Sequence, residues 1–186
     1  MERGAICGLL GPNGAGKSTT MNIMTGCLAA TDGEVRYDGL EIYADKDQVK
    51  RRIGYLPEQP PLYGDMTVWE YLDFVARAKG LPRLQVTEEV KRTGFACGLE
   101  EVIGRPIKNL SKGYKQRVGI AQALIGDPDV VILDEPTVGL DPIQIIEIRD
   151  LVKRLGERHT VTREQPYPVG DQGTVRSPSS SSAKGR

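Results

Sequence analysis

The sequence predicts an α/β fold built on a mostly parallel sheet, with small antiparallel strand pieces, an inserted helical subdomain and a disordered C-terminal tail. Three observations carry this. Ala5-Ile6-Cys7-Gly8-Leu9-Leu10 and Val130-Val131-Ile132-Leu133 are short, continuously apolar runs, the composition of strands buried on both faces. Strand-like and helix-like segments alternate along the chain, which sets parallel strands side by side with helices packed across them. Between the first run and the first helix lies Gly11-Pro12-Asn13-Gly14-Ala15-Gly16-Lys17-Ser18-Thr19, which matches G-x-x-x-x-G-K-[ST], a phosphate-binding loop.

In chain order, the first apolar run is the strand that delivers this loop. Its glycines permit a tight turn with backbone N–H groups facing inward, so Asn13, Gly14, Ala15, Gly16, Lys17, Ser18 and Thr19 form the phosphate cradle. Lys17 can reach the β- and γ-phosphates, and the Ser18 hydroxyl suits a Mg²⁺ ion. A helix from Lys17 to about Leu28 points its positive dipole end at those phosphates. Thr31-Asp32-Gly33-Glu34 is a turn, and Val35-Arg36-Tyr37-Asp38-Gly39 and Glu41-Ile42-Tyr43 are short strand pieces. Lys46 to Arg51 reads as a short charged helix, and Ile53-Gly54-Tyr55-Leu56 as a strand that Pro57 stops.

Glu58-Gln59-Pro60-Pro61 cannot continue regular structure. Thr67-Val68-Trp69-Glu70 has the form of a capping box and opens a helix to about Lys79. Thr87-Glu88-Glu89 opens another, to about Cys97. Ser111 precedes a helix carrying Val118, Ile120, Ala121, Ala123, Leu124 and Ile125. These helices make a subdomain over about residues 64–126. The buried strand Val130–Leu133 ends in Asp134-Glu135, and acids at the carboxyl end of such a strand sit where open α/β sheets bind ligands. With a phosphate loop present, Asp134 is placed to hold magnesium and Glu135 to polarise an attacking water. Asp141-Pro142 supplies an N-cap with proline at N1, and Ile145, Ile148, Val152 and Leu155 follow on one helical face.

The totals exclude several classes. In 186 residues there are 25 Lys+Arg and 25 Asp+Glu, so no charge excess argues for a nucleic-acid partner, and none is expected. No apolar run approaches the ~20 residues of a bilayer span, and the start lacks the pattern of a signal peptide. Cys7, Cys27 and Cys97 are three, without C-x-x-C spacing, and read as buried thiols of a reducing cytosol. Together these place the protein in the cytoplasm.

Leu110-Ser111-Lys112-Gly113-Tyr114-Lys115-Gln116-Arg117 resembles the signature motif of ATP-binding cassette (ABC) proteins, usually LSGGQ, with departures at Lys112 and Tyr114. Asp134-Glu135-Pro136-Thr137-Val138-Gly139-Leu140-Asp141 is similar to the Walker B and D-loop run of the same family. The resemblance spans roughly Glu2 to Val161 and is nearest to nucleotide-binding subunits of bacterial exporters and gliding-motility-like systems. It implies a P-loop NTPase that binds Mg·ATP, dimerises head to tail with a second nucleotide-binding subunit, and drives a transmembrane permease from the inner face of the membrane. It also implies roles: Glu135 and Lys17 in catalysis, Ser18 and Asp134 on Mg²⁺, and Ser111 and Gly113 on the γ-phosphate of ATP held by the partner subunit. Glu58 or Gln59 takes the place of the Q-loop glutamine that couples to the permease, and Tyr63, Trp69 and Tyr71 lie just downstream. A phosphate-loop kinase or GTPase would lack the Ser111–Arg117 run. A soluble ABC ATPase of translation or DNA repair would add a second cassette or a coiled coil.

Set against the family pattern, the chain reads as truncated at both ends: a partial ATPase domain over 1–161 and an aberrant, disordered tail over 162–186. The aromatic that stacks on adenine has no counterpart here. His159, the one histidine, stands at the start of its strand, where a surface histidine is expected rather than the family's switch histidine. Turnover is therefore expected to be impaired, and a non-functional remnant is an alternative. Read one base later from Val161, the degenerate codons of the tail allow Ser-Ser-His-Ile-Leu-Ser-Glu, which resembles the switch-histidine segment and points to a frameshift. The coding sequence is expected to read so in the shifted frame; codons there that cannot encode histidine would refute it.

Overall fold

The computed structural model describes residues 6–10 and 14–165. Four parallel strands form the main sheet in the order β1 (Ile6–Leu10), β6 (Thr160–Gln165), β5 (Val130–Leu133), β4 (Ile53–Leu56). A separate antiparallel pair, β2 (Arg36–Tyr37) and β3 (Leu40–Glu41), turns through Asp38 and Gly39, both at positive φ (48° and 85°), as a two-residue hairpin requires. Among the described residues the α-helices are α1 (Lys17–Met24), α2 (Lys46–Arg52), α3 (Val68–Ala78), α4 (Arg83–Ala96), α5 (Lys112–Leu124) and α6 (Pro142–Gly156).

β5 is buried on both faces because its alternate side chains enter two different cores. Val131 and Leu133 join Leu72, Val90, Ile120, Leu151 and Val161 on the side of α3–α6, while Ile132 packs with Met21, Ile42, Val49 and Ile53 on the other. α5 lies against β4 closely enough that a methyl group at Gly54 would overlap the Ala123 carbonyl. Burying residues of this size stabilises by about 1.5–3 kcal/mol each, and the two cores together sandwich the sheet.

Local capping explains where several helices begin. Thr67 Oγ1 accepts from Glu70 N, and the Glu70 carboxylate in turn accepts from Thr67 N (2.8 Å), a complete capping box. The Asp141 carboxylate accepts from Gln144 N (2.9 Å), with Pro142 at the first position of α6. The Ile148, Val152 and Leu155 face is buried as expected, joined by Leu151.

Several expectations need correction. α1 stops at Met24 rather than Leu28, because Gly26 turns the chain at φ 72°. α4 opens at Arg83 after Pro82, not at Thr87, which lies exposed inside the helix; the buried face Val86, Val90, Thr93 marks its true extent. β6 runs to Gln165, so strand structure crosses the boundary drawn after Val161. Its backbone is paired on both sides, to β1 and β5, which needs no side-chain periodicity. The rest of the expected tail, 166–186, lies outside the described residues. His159 is not a surface histidine: it is 5% exposed, and its Nδ1 donates to the Pro128 carbonyl at 2.7 Å. Of the thiols only Cys97 is buried, and burial pushes it up to about 12; Cys27 is exposed and Cys7 half-buried.

The C-terminal end of α5 is closed by long side chains from the helices beside it. Lys79 Nζ donates to the carbonyls of Gln122, Ala123 and Ile125 (3.3, 3.3 and 2.7 Å), Arg92 to that of Leu124 (3.1 Å), and Gly126 N donates to Glu89 (2.6 Å). Burial pushes the Lys79 ammonium down from 10.5 to about 8, against the pull of the Glu89 carboxylate. The unfolded chain then holds more protons than the folded one between those values. Stability therefore rises with pH through this interval and is lost as pH falls through 8. The phenols of Tyr37, Tyr55 and Tyr71, raised to about 12 by burial, act in the opposite sense above pH 10. Urea denaturation between pH 7.5 and 9.5 should show a gain of about 1–2 kcal/mol that Lys79→Met removes; an equal gain in the variant would refute the assignment.

Candidate phosphate site at the carboxyl edge of the sheet

Because all four strands run the same way, the segments that follow β1, β4 and β5 emerge at one edge of the sheet. The first delivers Gly14, Ala15 and Gly16 and then α1; Asn13 lies outside the described residues. Gly14 and Gly16 have φ of 82° and 81°, and a methyl group on either would meet no atom within 4 Å. Backbone conformation, not crowding by the protein, is what demands glycine there. Gly16 caps α1 without a side-chain hydrogen bond, and the start of a helix is where backbone N–H groups suit an anion. Lys17 is buried to 8% exposure, whereas Ser18 and Thr19 are exposed.

The second segment follows β5. Leu56 and Leu133 are in register, and Asp134 N continues the ladder by donating to the Leu56 carbonyl at 2.9 Å. This sets Asp134, 4% exposed, at the end of the central strand pair. Its charge is felt nearby: the Tyr55 phenol is pushed up to about 12, chiefly by burial and then by the Asp134 carboxylate, and its hydroxyl donates to Asn22 Oδ1 on α1 at 3.2 Å. Glu135 adopts φ 44°, the left-handed region, immediately before Pro136. A non-glycine residue held there is strained by about 1–3 kcal/mol, and the constraint fixes the course of the chain at the half-buried Glu135. The turn closes with Val138 N donating to the Glu135 carbonyl at 3.1 Å.

The third segment, after β4, carries Glu58 and Gln59, both exposed. Ser18 and Asp134 offer hydroxyl and carboxylate oxygen, the donor chemistry of a hard divalent cation such as Mg²⁺. His159 belongs to the other end of the sheet. Thr160 is level with Val130, so His159 lies five strand positions from the level of Asp134, roughly 16 Å.

Ser111 and Gly113 are not gathered with this cluster. α5 packs chiefly against β4, β5, α3 and α4. Ser111 is exposed and caps α5, its hydroxyl accepting from Tyr114 N at 3.3 Å. Both departures from the common signature have a structural place. The Lys112 ammonium covers Gly139, where a methyl group would overlap it, and Tyr114 packs against the larger core. Sequence reasoning missed Gln144, whose side chain lies on Gly113: a methyl group at Gly113 would stand 2.9 Å from Gln144 Cδ. No local spacing relates those two positions. Tyr63 and Phe74 are 51% and 43% exposed and meet edge to face, centroids 5.5 Å apart, with Tyr71 buried behind them.

Comparison with known proteins agrees with this geometry. The family model described as ABC transporter matches residues 1–138. The chain is 40% identical over 153 residues to the lantibiotic transport ATP-binding protein SrtF of Streptococcus pyogenes, covering 82% of this chain and 64% of that protein. It is 38% identical over 162 residues to the bacitracin transport ATP-binding protein BcrA of Bacillus licheniformis, covering 87% and 52%. The chain thus spans about half to two thirds of the length of these relatives. Among solved structures, cbiO1 from Clostridium perfringens, part of the ABC transporter complex cbiONQ, superposes with a TM-score of 0.80 at 30% identity, covering 90% of this chain and 69% of that one. No helix among the described residues is long and apolar enough to cross a membrane. Motifs, sheet order and these likenesses agree on one assignment: the chain belongs to the ABC transporter family.

Proposed function

We propose that the chain is an ATP-binding and ATP-hydrolysing subunit that powers transport by a membrane partner. The observation that carries this is the convergence of the Gly14–Thr19 loop and Asp134-Glu135 on one edge of a parallel sheet. The first-turn amides of α1 and the Lys17 ammonium neutralise phosphate charge. Ser18 and Asp134 would hold Mg²⁺, which when bound offsets the charge of the phosphate oxygens. Glu135 accepts a proton from the attacking water as the γ-phosphoryl group departs.

The nucleotide is shared between two copies arranged head to tail. Ser111 and the N–H of Gly113 of one copy meet the γ-phosphate held by the other, which is why these residues stand apart from the first loop of their own chain. The permease docks beside Glu58 and Gln59, against the exposed Tyr63 and Phe74 rings, and holds the protein at the inner face of the membrane. The transport names of the relatives support an exporter-type partner. With His159 buried at the opposite end of the sheet and held by Pro128, nothing of its chemistry reaches the phosphates, so turnover is slow relative to binding.

Equilibrium titration with Mg·ATP and a phosphate-release assay test this on the purified chain. Lys17→Ala should weaken binding more than tenfold. Glu135→Gln should retain binding while losing turnover by roughly 10²-fold or more. Turnover unchanged in Glu135→Gln would overturn the assignment of the base.

A further inference from the structure

Arg117, on α5, joins three helices. Its Nη1 group donates to the Cys97 carbonyl at the end of α4 (3.0 Å), and its Nη2 group donates to the Glu147 carboxylate on α6 (2.8 Å). The Arg117 side chain is 17% exposed and that of Glu147 51%. One turn earlier, Gly113 meets Gln144. From Gly113 to Arg117 and from Gln144 to Glu147 the contacts advance in the same sense, so the first turns of α5 and α6 meet through these side chains. Their N-termini, capped by Ser111 and Asp141, are therefore neighbours. Like dipole ends repel, so this arrangement needs a restraint across the seam. An arginine provides a firmer one than lysine, because its planar fork serves two acceptors at a fixed angle. The other end of the seam is the turn that begins at Glu135, since Val138 and Leu140 close it immediately before Asp141 (3.1 and 3.3 Å).

We propose that Arg117 is a positioning residue: by holding Glu147 and the Cys97 carbonyl together, it keeps the Ser111–Gly113 turn in register with the start of α6 and with Glu135. The anion site offered to a second copy's nucleotide and the base acting on the chain's own nucleotide then move as one body. This rests on the two-copy ATP site proposed above, and Arg117 acts only through Ser111 and Gly113.

The test uses the full chain with Glu135→Gln, so that ATP is bound and not consumed. ATP affinity is measured at protein concentrations too low for association, and ATP-dependent dimer formation by sedimentation velocity. Arg117→Gln and Glu147→Gln should leave ATP affinity within twofold and weaken association about five- to twentyfold. Arg117→Lys should restore part of the loss. In a Ser111→Ala background the further loss from Glu147→Gln should fall below twofold, the non-additivity expected of a residue acting through Ser111. Should Arg117→Gln fail to fold, the half-exposed Glu147→Gln decides alone. Undiminished association, or an equal loss with and without Ser111, overturns the proposal by itself. Absence of ATP binding, or of ATP-dependent association, before Arg117 or Glu147 is altered overturns the two-copy reading and this proposal with it.

Discussion

The structure depends on one strand. Val130–Leu133 is hydrogen-bonded in parallel to β4 on one side and β6 on the other, and its side chains enter both cores. A strand so enclosed has to be apolar along its length, and Asp134 is where that requirement ends. Because its neighbours share its direction, everything that leaves the sheet at that edge converges: the Gly-rich loop after β1, the Glu58-Gln59 segment after β4 and the strained Glu135 turn after β5. In the reading proposed above, that edge offers a phosphate group the first-turn amides of α1 and the Lys17 ammonium.

A second constraint concerns α5, which carries the signature residues. An α-helix leaves four acceptors open at its C-terminus, and here Lys79 and Arg92 reach across from α3 and α4 to fill them. Near its other end Arg117 ties it to α4 and α6. α5 is thus tied to α3, α4 and α6 by long basic side chains as well as by the apolar core it shares with them and with the sheet. That gives Ser111 a defined position although it is exposed and far from its chain's own loop.

What was legible in the sequence was local. The capping box Thr67–Glu70, the Asp141 cap and the phosphate loop are each set by residues close together in the chain, so spacing alone reveals them, whereas Asp38-Gly39, read as part of a strand piece, is the turn after Tyr37. The central strand was legible because burial on both faces leaves no room for polar residues. The misreadings share the opposite property. His159 is buried with its ring N–H satisfied by the carbonyl of Pro128, 31 positions away, which accepts a hydrogen bond from it. β6 continues to Gln165 because β1 pairs with it to that point, with β5 on its other side as far as Arg163. Thr87 has the chemistry of a cap but sits inside a helix that Pro82 had already begun. Gln144 on Gly113 and Arg117 with Glu147 are contacts between elements, invisible until the helices are placed. At the sheet edge the sequence marked Gly14 to Thr19, Asp134 and Glu135, but not Tyr55 and Asn22 beside them, nor which elements hold Ser111 in place.

The central claim is that one nucleotide is gripped by the first loop of one copy and the signature turn of another. A disulfide test addresses it directly, with Ala15→Cys and Lys112→Cys placed in one chain whose exposed Cys27 is replaced by serine. Under mild oxidation, covalent dimer should form with Mg·ATP and not with ADP or without nucleotide. A chain that stays monomeric with Mg·ATP, or that cross-links equally in its absence, would contradict the account.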